Sequence, residues 1–299
     1  MREYIDGFIN YIKTVRNYSD YTETNYQLDL DNYEDYLKLH RLNFKNIKYK
    51  DIIIYNKYLK EDKGLSSSSV ARHLSTLRSF YNYLLHEQII DANPFKLVSS
   101  PKKPLKLPNY MKYNEFEEMI NSCEETPLGI RNRCLLEVLF ATGARIGEII
   151  NIKLSDIDYG NKEIKVLGKG NKERIVFIND HALDSLKDYI NNSRNILLDG
   201  KKSERLFINH IGGELTTRGV RDILDNIIKK SSLNIKVTPH MFRHTFATML
   251  LNEGCDLKSV QELLGHVNMS TTQIYTHLTS SYIKEMYLHT HPRSKNTSK

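Results

Sequence analysis

A short segment rich in proline divides this chain of 299 residues. Four of the seven prolines lie between Asn93 and Pro108, and the same segment carries lysines but no acidic residue. Closely spaced prolines stop helices and stiffen an extended connector. The part on either side is long enough to bury a core of its own. The sequence therefore predicts two domains, residues 1–92 and 109–299, joined by a linker over residues 93–108.

The first part shows the spacing of amphipathic helices. Serines at 66–69 offer an N-cap, and Leu74, Leu77, Phe80 and Leu84 then fall on one stripe of a helix. We predict about four helices and no strand for residues 1–92.

The second part combines helices with a hairpin. Residues 164–166 and 174–176 are short apolar strands on either side of a turn that contains two glycines. Helices are predicted over 182–191, 217–230, 239–252 and 257–264, with a last helix from Ser270. The predicted fold class is mainly α, with a helical first domain and a mixed, mostly helical second domain that carries a small β-sheet or hairpin.

Composition excludes several classes of protein. A hydrophobic fraction of 40% and a charged fraction of 26% rule out a mainly disordered chain. No apolar run reaches the roughly 18–20 residues of a membrane span, and the N-terminus shows no secretory signal. The three cysteines share no metal-ligand spacing. We therefore expect a cytoplasmic protein with no metal and no disulfide scaffold.

The charge balance permits nucleic acid as a partner. The chain has 43 Lys and Arg against 36 Asp and Glu, and 17 of these bases and 13 of the acids precede Pro108. Because both parts are basic, both are expected to contribute to any grip on DNA. The linker lysines, including Lys102 and Lys103, either are solvated or lie along phosphates.

Residues 237–244 give the most informative signal for chemistry. Thr238 is a natural N-cap, and Pro239 fits the first helical position. His240 and Arg243 then lie three residues apart on one face of the first turns. Free N–H groups at a helix start favour an anion, so this pair predicts a phosphate site. The alternative is a capping or packing histidine beside an arginine in a surface ion pair.

Arg145 and Lys169 are weaker candidates by themselves. Arg145 follows a Thr-Gly turn into a helix, and its alternative role is an ion pair with Glu148, worth little on a surface. Lys169 lies at the hairpin tip between two glycines, where a solvated turn is the alternative. The GK[ST] ending of a P-loop is absent.

His266 and Tyr275 surround a predicted helix start. Ser270 and Gln273 form a capping box, which places Tyr275 in the early turns of the last helix. A helix N-terminus modestly favours a phenolate. The alternative for any one of 19 tyrosines is ordinary packing.

Read in order, these residues form R…K…HxxR…H…Y, the set that metal-free cleavage of a phosphodiester by a tyrosine needs. The sequence resembles the tyrosine recombinases, also called the lambda-integrase family, and is most similar to their bacterial XerC/XerD type. The resemblance rests on ATGARIGE, GKGNKER, TPHMFRHTFATMLL, LLGHVNMSTTQIYTH and HTHPR, and in the first half on ARHLSTLRSFYNYLL and ANPFKLVSSPKKP. It covers nearly the whole chain.

The resemblance implies a catalytic set and a nucleophile. The set is Arg145, Lys169, His240, Arg243, His266 and Tyr275. Tyr275 would be the nucleophile. Because the pKa of a free tyrosine is about 10, it needs a proton acceptor, for which His240 is the candidate.

The other members of the set have roles that suit their chemistry. Arg145 and Arg243 would each grip non-bridging phosphate oxygens, which suits guanidinium better than ammonium. Lys169 would protonate the departing 5′ oxygen, and His266 would bind the phosphate or assist proton transfer. The 3′-phosphotyrosyl product stores the bond energy, so rejoining needs no cofactor, metal or ATP.

The resemblance also implies an assembly. A core-binding domain (1–92) and a catalytic domain (109–299) would close on a double-stranded recombination site, with Arg72, Arg78, Lys102 and Lys103 as candidate DNA contacts. The protein, or the protein with a paralogous recombinase, would form a tetramer on two sites and pass through a Holliday junction. A DNA translocase or another accessory factor is a candidate activator.

The C-terminal tail is expected to dock on a neighbouring protomer. Its apolar stripe consists of Tyr282, Ile283, Met286, Tyr287 and Leu288. The alternative is that the stripe packs on its own domain.

Three functional hypotheses follow. The first is a site-specific recombinase that resolves chromosome or plasmid dimers. The second is a mobile-element or phage integrase with the same chemistry but different sites. The third is a DNA-binding clamp without cleavage, which would have no need for Tyr275. A metal-dependent nuclease is disfavoured because no carboxylates cluster in the two-metal pattern.

Overall fold

The computed structural model describes residues 1–16, 20–96, 98, 110–168, 172–265 and 276–294. The chain divides into two compact units, Met1–Lys106 and Leu107–Lys299. None of the helices among these described residues is long and apolar enough to cross a membrane.

The first unit is built from helices, and its described residues contain no strand. The helices are α1 (Arg2–Thr14), α2 (Asp20–Leu39), α3 (Tyr49–Glu61) and α4 (Ser67–His86), with a 3₁₀ turn at Phe44–Asn46. As the serine run predicts, Ser66 is the N-cap of α4, and its hydroxyl accepts a hydrogen bond from the Ser69 N–H at 3.2 Å. The stripe on α4 lies in the core of the unit.

This first unit extends past the predicted boundary at residue 92. Phe95 and Val98 are buried in its core, although the sequence places them in the linker. The Arg78 guanidinium donates to the carbonyl oxygens of Phe95 (3.2 Å) and Val98 (2.8 Å). Proline density predicts an extended backbone but does not show whether apolar residues between the prolines are buried. The exact linker bounds stay a prediction.

The second unit is mostly helical and carries one small sheet. Its helices are α5 (Tyr113–Asn121), α6 (Pro127–Thr142), α7 (Ile146–Ile150), α8 (Asp180–Asp188), α9 (Asn195–Leu198), α10 (Thr217–Lys230), α11 (Pro239–Asn252), α12 (Leu257–Leu264) and α13 (Thr276–Thr290). A π-helical segment, Tyr189–Arg194, joins α8 to α9. The mainly α fold class is confirmed.

The sheet is an antiparallel meander of three strands. They are β1 (Ile157–Asp158), β2 (Glu163–Leu167) and β3 (Glu173–Phe177), in the order β1-β2-β3. The predicted hairpin is β2–β3, with Ile164 opposite Val176, and both side chains are buried. Gly168 N–H donates to the Lys172 carbonyl at 2.8 Å, which closes the hairpin at its tip.

Helix α6 forms the centre of the second unit. Thr126 caps it, Pro127 opens it, and every residue from Cys134 to Thr142 is buried. It ends at Gly143, which adopts the left-handed conformation with φ +55°. A Cβ at Gly143 would lie 2.6 Å from the Phe246 ring on α11, so the chain can turn here only with glycine.

The C-terminal stripe is largely packed within its own unit. Ile283 and Tyr287 on α13 are buried with Phe177 and Phe246, while Tyr282 and Leu288 remain exposed. The expectation that the whole stripe is free to dock on a neighbour therefore does not hold for the buried members, because their apolar surface is already covered. Docking of the tail in trans stays a prediction.

Residues beyond α13 anchor the tail further. Arg293 forms ion pairs with Glu117 on α5 and with Glu137 on α6, the latter at 3.1 Å. His291 is buried, and its Nε2 donates to the Phe140 carbonyl at 3.2 Å. Burial lowers the pKa of His291 to about 4, and burial raises the pKa of Glu137 to about 7.

Candidate active site

Three of the six predicted catalytic residues fall within the described chain: Arg145, His240 and Arg243. Lys169, His266 and Tyr275 lie outside the described residues, as do the predicted DNA contacts Lys102 and Lys103.

Arg145 is held at the junction of α6 and α7. It is the N-cap of α7, and its backbone N–H donates to Glu148 Oε2 at 2.8 Å. Its side-chain Nη1 donates to Glu148 Oε1 at 3.0 Å. The Glu148 side chain is 4% exposed and that of Arg145 is 43% exposed. The ion pair considered as the alternative is therefore present, with its carboxylate buried and its guanidinium open to solvent. The pair orients Arg145 at the start of a helix.

Arg243 connects three elements. It lies in the second turn of α11, whose N-cap is Thr238 as predicted. Its Nη1 donates to the Gly143 carbonyl at 3.0 Å and its Nη2 to the Leu264 carbonyl at 2.6 Å. Arg243 thus ties α11 to the end of α6 and to the end of α12. His240, three residues earlier on α11, is exposed to solvent.

A third arginine, Arg174, completes the cluster. It lies on β3, and its Nη2 donates to Glu148 Oε2 at 2.9 Å. Its Nη1 donates to the Leu263 carbonyl at 2.6 Å. Glu148 therefore accepts from Arg145 and Arg174 together. The sequence motifs contain both Glu148 and Arg174, but no spacing rule marks either as part of the site.

The neighbouring arginines shift the pKa values of Arg243 and Glu148. Burial, followed by the positive charges of Arg145 and Arg174, lowers the pKa of Arg243 to about 10. Burial would raise the pKa of Glu148, but Arg174 and the hydrogen bonds from Arg145 outweigh it and lower that pKa. Glu148 is thus ionised and Arg243 protonated at neutral pH. Three guanidinium groups against one carboxylate leave an excess of positive charge, which suits an anion such as a phosphodiester.

Two glycines border the cluster. A Cβ at Gly168 would lie 3.5 Å from Glu148 Oε1, and a Cβ at Gly265 would lie 2.7 Å from Arg174 Cδ. Gly168 directly precedes Lys169, and Gly265 directly precedes His266. The residues next to two predicted catalytic positions therefore lie beside the arginine cluster.

The candidate DNA contacts in the first unit are engaged inside that unit. Arg72 donates to the buried Asp29 carboxylate at 2.5 Å and keeps 38% of its side chain exposed. Arg78 binds the two backbone carbonyls described above. Their contacts with DNA stay predictions.

Two further sequence expectations concern cysteines and metals. Cys123, Cys134 and Cys255 are free and buried. In the described part of the chain, no group of three or more His, Cys, Asp or Glu side chains has the arrangement of a metal site.

Both units match families known from other proteins. Residues 109–281 match the phage integrase family, and residues 5–88 match the phage integrase N-terminal SAM-like domain. The chain is 44% identical to tyrosine recombinase XerC of Anoxybacillus flavithermus, over 96% of this chain and 97% of that protein. It is 41% identical to XerC of Bacillus subtilis, over 98% of each chain.

Solved structures share the architecture. The XerH site-specific recombinase bound to a palindromic difH substrate, a post-cleavage complex, superposes with a TM-score of 0.69 at 26% identity, covering 94% of this chain and 83% of XerH. A lambda integrase dimer bound to a core site has a TM-score of 0.66 at 19% identity, covering 92% and 99%, and supports the fold alone.

Proposed function

Since this chain belongs to the phage integrase family and is a site-specific tyrosine recombinase, we propose that it cuts and rejoins duplex DNA with Tyr275 as its nucleophile. Tyr275 attacks the scissile phosphate and forms a 3′-phosphotyrosyl bond, and the 5′ hydroxyl leaves. The 5′ hydroxyl of a partner strand then reverses the step and exchanges the strands.

The observation that carries this proposal is the cluster of Arg145, Arg174 and Arg243 around a single carboxylate, Glu148. Its excess positive charge is held in place by hydrogen bonds within the protein before any substrate binds. Donors fixed in advance stabilise charge that develops on the phosphate in the transition state. In this reaction Arg145 and Arg243 grip the non-bridging oxygens.

Proton transfers fall to the remaining members of the set. His240, exposed at the start of α11, accepts the proton of Tyr275. Lys169 protonates the 5′ oxygen, and His266 binds the phosphate or assists proton transfer. The covalent intermediate conserves the phosphodiester energy, so rejoining needs neither metal nor ATP.

The proposed substrate is a specific double-stranded DNA site. XerH, at 26% identity, was crystallised on its difH substrate. By this likeness, two DNA sites are bound by a tetramer of this protein, or of this protein and a paralogue, at the nucleoid in the cytoplasm. The identity to XerC along nearly the whole chain favours resolution of chromosome or plasmid dimers over a mobile-element role. A DNA translocase or accessory factor would switch the reaction on.

Covalent trapping tests the proposal. The protein is incubated with sheared genomic DNA of its host in EDTA, denatured in SDS, and the protein-linked fragments are sequenced. We expect adducts that share one sequence and that are absent with Tyr275→Phe. A shared site on the chromosome supports dimer resolution, and a site at the ends of a mobile element supports the integrase alternative. Salt-sensitive DNA binding with no adduct, also when a paralogue is added, contradicts the proposal and favours the clamp.

A further inference from the structure

Arg174 occupies a position that the catalytic set does not explain. Its side chain is 17% exposed and bridges two elements that border the site. One hydrogen bond runs to Glu148 Oε2, the oxygen that also accepts from the Arg145 backbone. The other runs to the Leu263 carbonyl near the end of α12.

The chain folds closely over this side chain. Gly265 adopts φ +66°, and a Cβ there would lie 2.7 Å from Arg174 Cδ and 2.8 Å from Nε. Only glycine permits both this conformation and this approach. The guanidinium therefore fixes the point at which the chain leaves α12, directly before His266.

We propose that Arg174 is a positioning residue for the recombinase reaction: it fixes the Glu148 carboxylate, and through that carboxylate the Arg145 guanidinium, in the orientation that receives the phosphate. This inference rests on the proposed function. Arg174 itself does not touch the reacting atoms. Its effect on the rate passes through Arg145.

The geometry of the carboxylate supports this role. Glu148 Oε1 accepts from Arg145 Nη1 at 3.0 Å, while Oε2 accepts from the Arg145 N–H and from Arg174 Nη2 at 2.8 and 2.9 Å. Rotation of the carboxylate would break all of these contacts at once. Without Arg174, one fixed donor is lost and the carboxylate gains freedom to turn.

What sets Arg174 apart is its position between Glu148 and the end of α12, beside Arg243. Arg133 in the same unit also joins a carboxylate, Glu125, to a backbone carbonyl, that of Cys123, but contacts none of the site residues named here.

The test compares Arg174→Met, Arg174→Lys, Arg145→Ala and the matched control Arg133→Met. Each full-length protein reacts with a DNA site recovered by the covalent trapping. One duplex carries the natural scissile phosphate, and the other a methylphosphonate, in which a methyl group replaces one non-bridging oxygen. The methylphosphonate lacks the negative charge that Arg145 neutralises. The rate of adduct formation and the midpoint of thermal unfolding are measured for every variant.

We expect Arg174→Met to form adduct about 10- to 100-fold more slowly than the unchanged protein on the phosphate, since a misplaced binding group costs about this much. On the methylphosphonate, the rate of Arg174→Met should lie within about threefold of the rate of the unchanged protein. Arg145→Ala should behave in the same way, because this substrate lacks the negative charge that Arg145 neutralises. Arg174→Lys shows the same pattern because an ammonium cannot donate in two fixed directions. Arg133→Met keeps the rate on both substrates.

Three results overturn the inference. An unchanged rate for Arg174→Met excludes any role in the reaction. An equal deficit on both substrates shows general damage to the fold and no effect on Arg145, and full activity of Arg174→Lys shows that charge alone suffices. If the unchanged protein forms no Tyr275-dependent adduct, the proposed function fails and this inference fails with it; the other results leave the proposed function standing.

Discussion

At the scale of single residues, Glu148 changes how the site is understood. The sequence offers an Arg145–Glu148 ion pair as the alternative to a catalytic Arg145. The structure contains that ion pair within the arginine cluster, and its buried carboxylate is shared with Arg174. The two interpretations are therefore compatible, because a carboxylate that holds the arginine can also orient it for the proposed chemical role.

Replacing Glu148 by glutamine tests this conclusion. Glu148→Gln removes the charge that holds Arg145 and Arg174, so we expect adduct formation to slow by about 10-fold or more. DNA affinity should not fall, because the cluster becomes more positive. Adduct rates and fluorescence anisotropy measure the two effects. Glu204→Gln, which loses only an exposed ion pair with Lys153, is the control and should leave both unchanged.

Gly143 offers a second prediction at this scale. Gly143→Ala forces a side chain into φ +55° and against the Phe246 ring, so unfolding free energy should drop by at least about 1 kcal/mol. Urea titration measures the loss. Gly147→Ala is the matched control, since a Cβ there meets nothing within 4 Å. Equal stability of both variants would show that the turn tolerates a side chain.

At the scale of elements, periodicity and capping signals predict well where they are long enough to read. Helices α10, α11 and α12 have the predicted bounds, and each begins after a capping side chain: Thr216, Thr238 and Asp256. The helix start predicted after the Thr-Gly turn is present as α7, with Arg145 as its N-cap. The sequence does not predict β1, because its two residues are too few to show a period. The contact of Arg174 with Glu148 joins β3 to α7 and cannot be read from local spacing.

His291, which follows α13, and Glu137 on α6 make the anchoring of the C-terminal tail depend on pH. The folded pKa of His291 is about 4 against an ordinary 6.5, so stability is lost as the pH falls from 6.5 towards 4, when only the unfolded chain gains a proton. The folded pKa of Glu137 is about 7 against 4.5, so stability is lost as the pH rises from 4.5 towards 7. The two groups oppose each other between about pH 4.5 and 6.5.

Single substitutions should separate these effects. The quantity to compare is the unfolding free energy of each variant minus that of the unchanged protein. As the pH rises from 5 to 6.5, this difference should increase for Glu137→Gln, which lacks the group that loses stability over this range. It should decrease for His291→Gln, which lacks the group that gains stability. Each slope can approach about 1.4 kcal/mol per pH unit. Denaturant titrations across this range measure both. Parallel curves for all three proteins would contradict the anchor.

At the scale of the whole molecule, charge is distributed over both units and the linker between them. A DNA grip built this way releases many counterions, so affinity should fall by about 10³–10⁵ between 50 and 200 mM salt for six to ten phosphate contacts. Only the net charge and its spread were readable from the sequence. Charge alone does not tell which lysines and arginines contact phosphates, because the fold engages some of these side chains itself. Arg78, for example, donates to the Val98 carbonyl.

The linker lysines provide the test. A Lys102→Ala, Lys103→Ala double variant should reduce the slope of log affinity against log salt by about two if both contact phosphates. Lys13→Ala with Lys57→Ala removes the same charge from lysines paired with Glu23 and Glu61, and should leave the slope near that of the unchanged protein. Identical slopes for the two double variants would show that the linker is only solvated.

The double engagement of Arg243 has a practical consequence for making an inactive protein. Its guanidinium joins the Gly143 and Leu264 carbonyls, so truncating it removes a brace between α6, α11 and α12 together with the proposed phosphate ligand. If Arg243→Ala is inactive, the result does not distinguish the loss of a catalytic group from a less stable packing of these helices. To trap an uncleaved DNA complex for crystallography or cryo-electron microscopy, Tyr275→Phe is the better variant. It removes one oxygen atom and leaves the contacts of Arg243 intact.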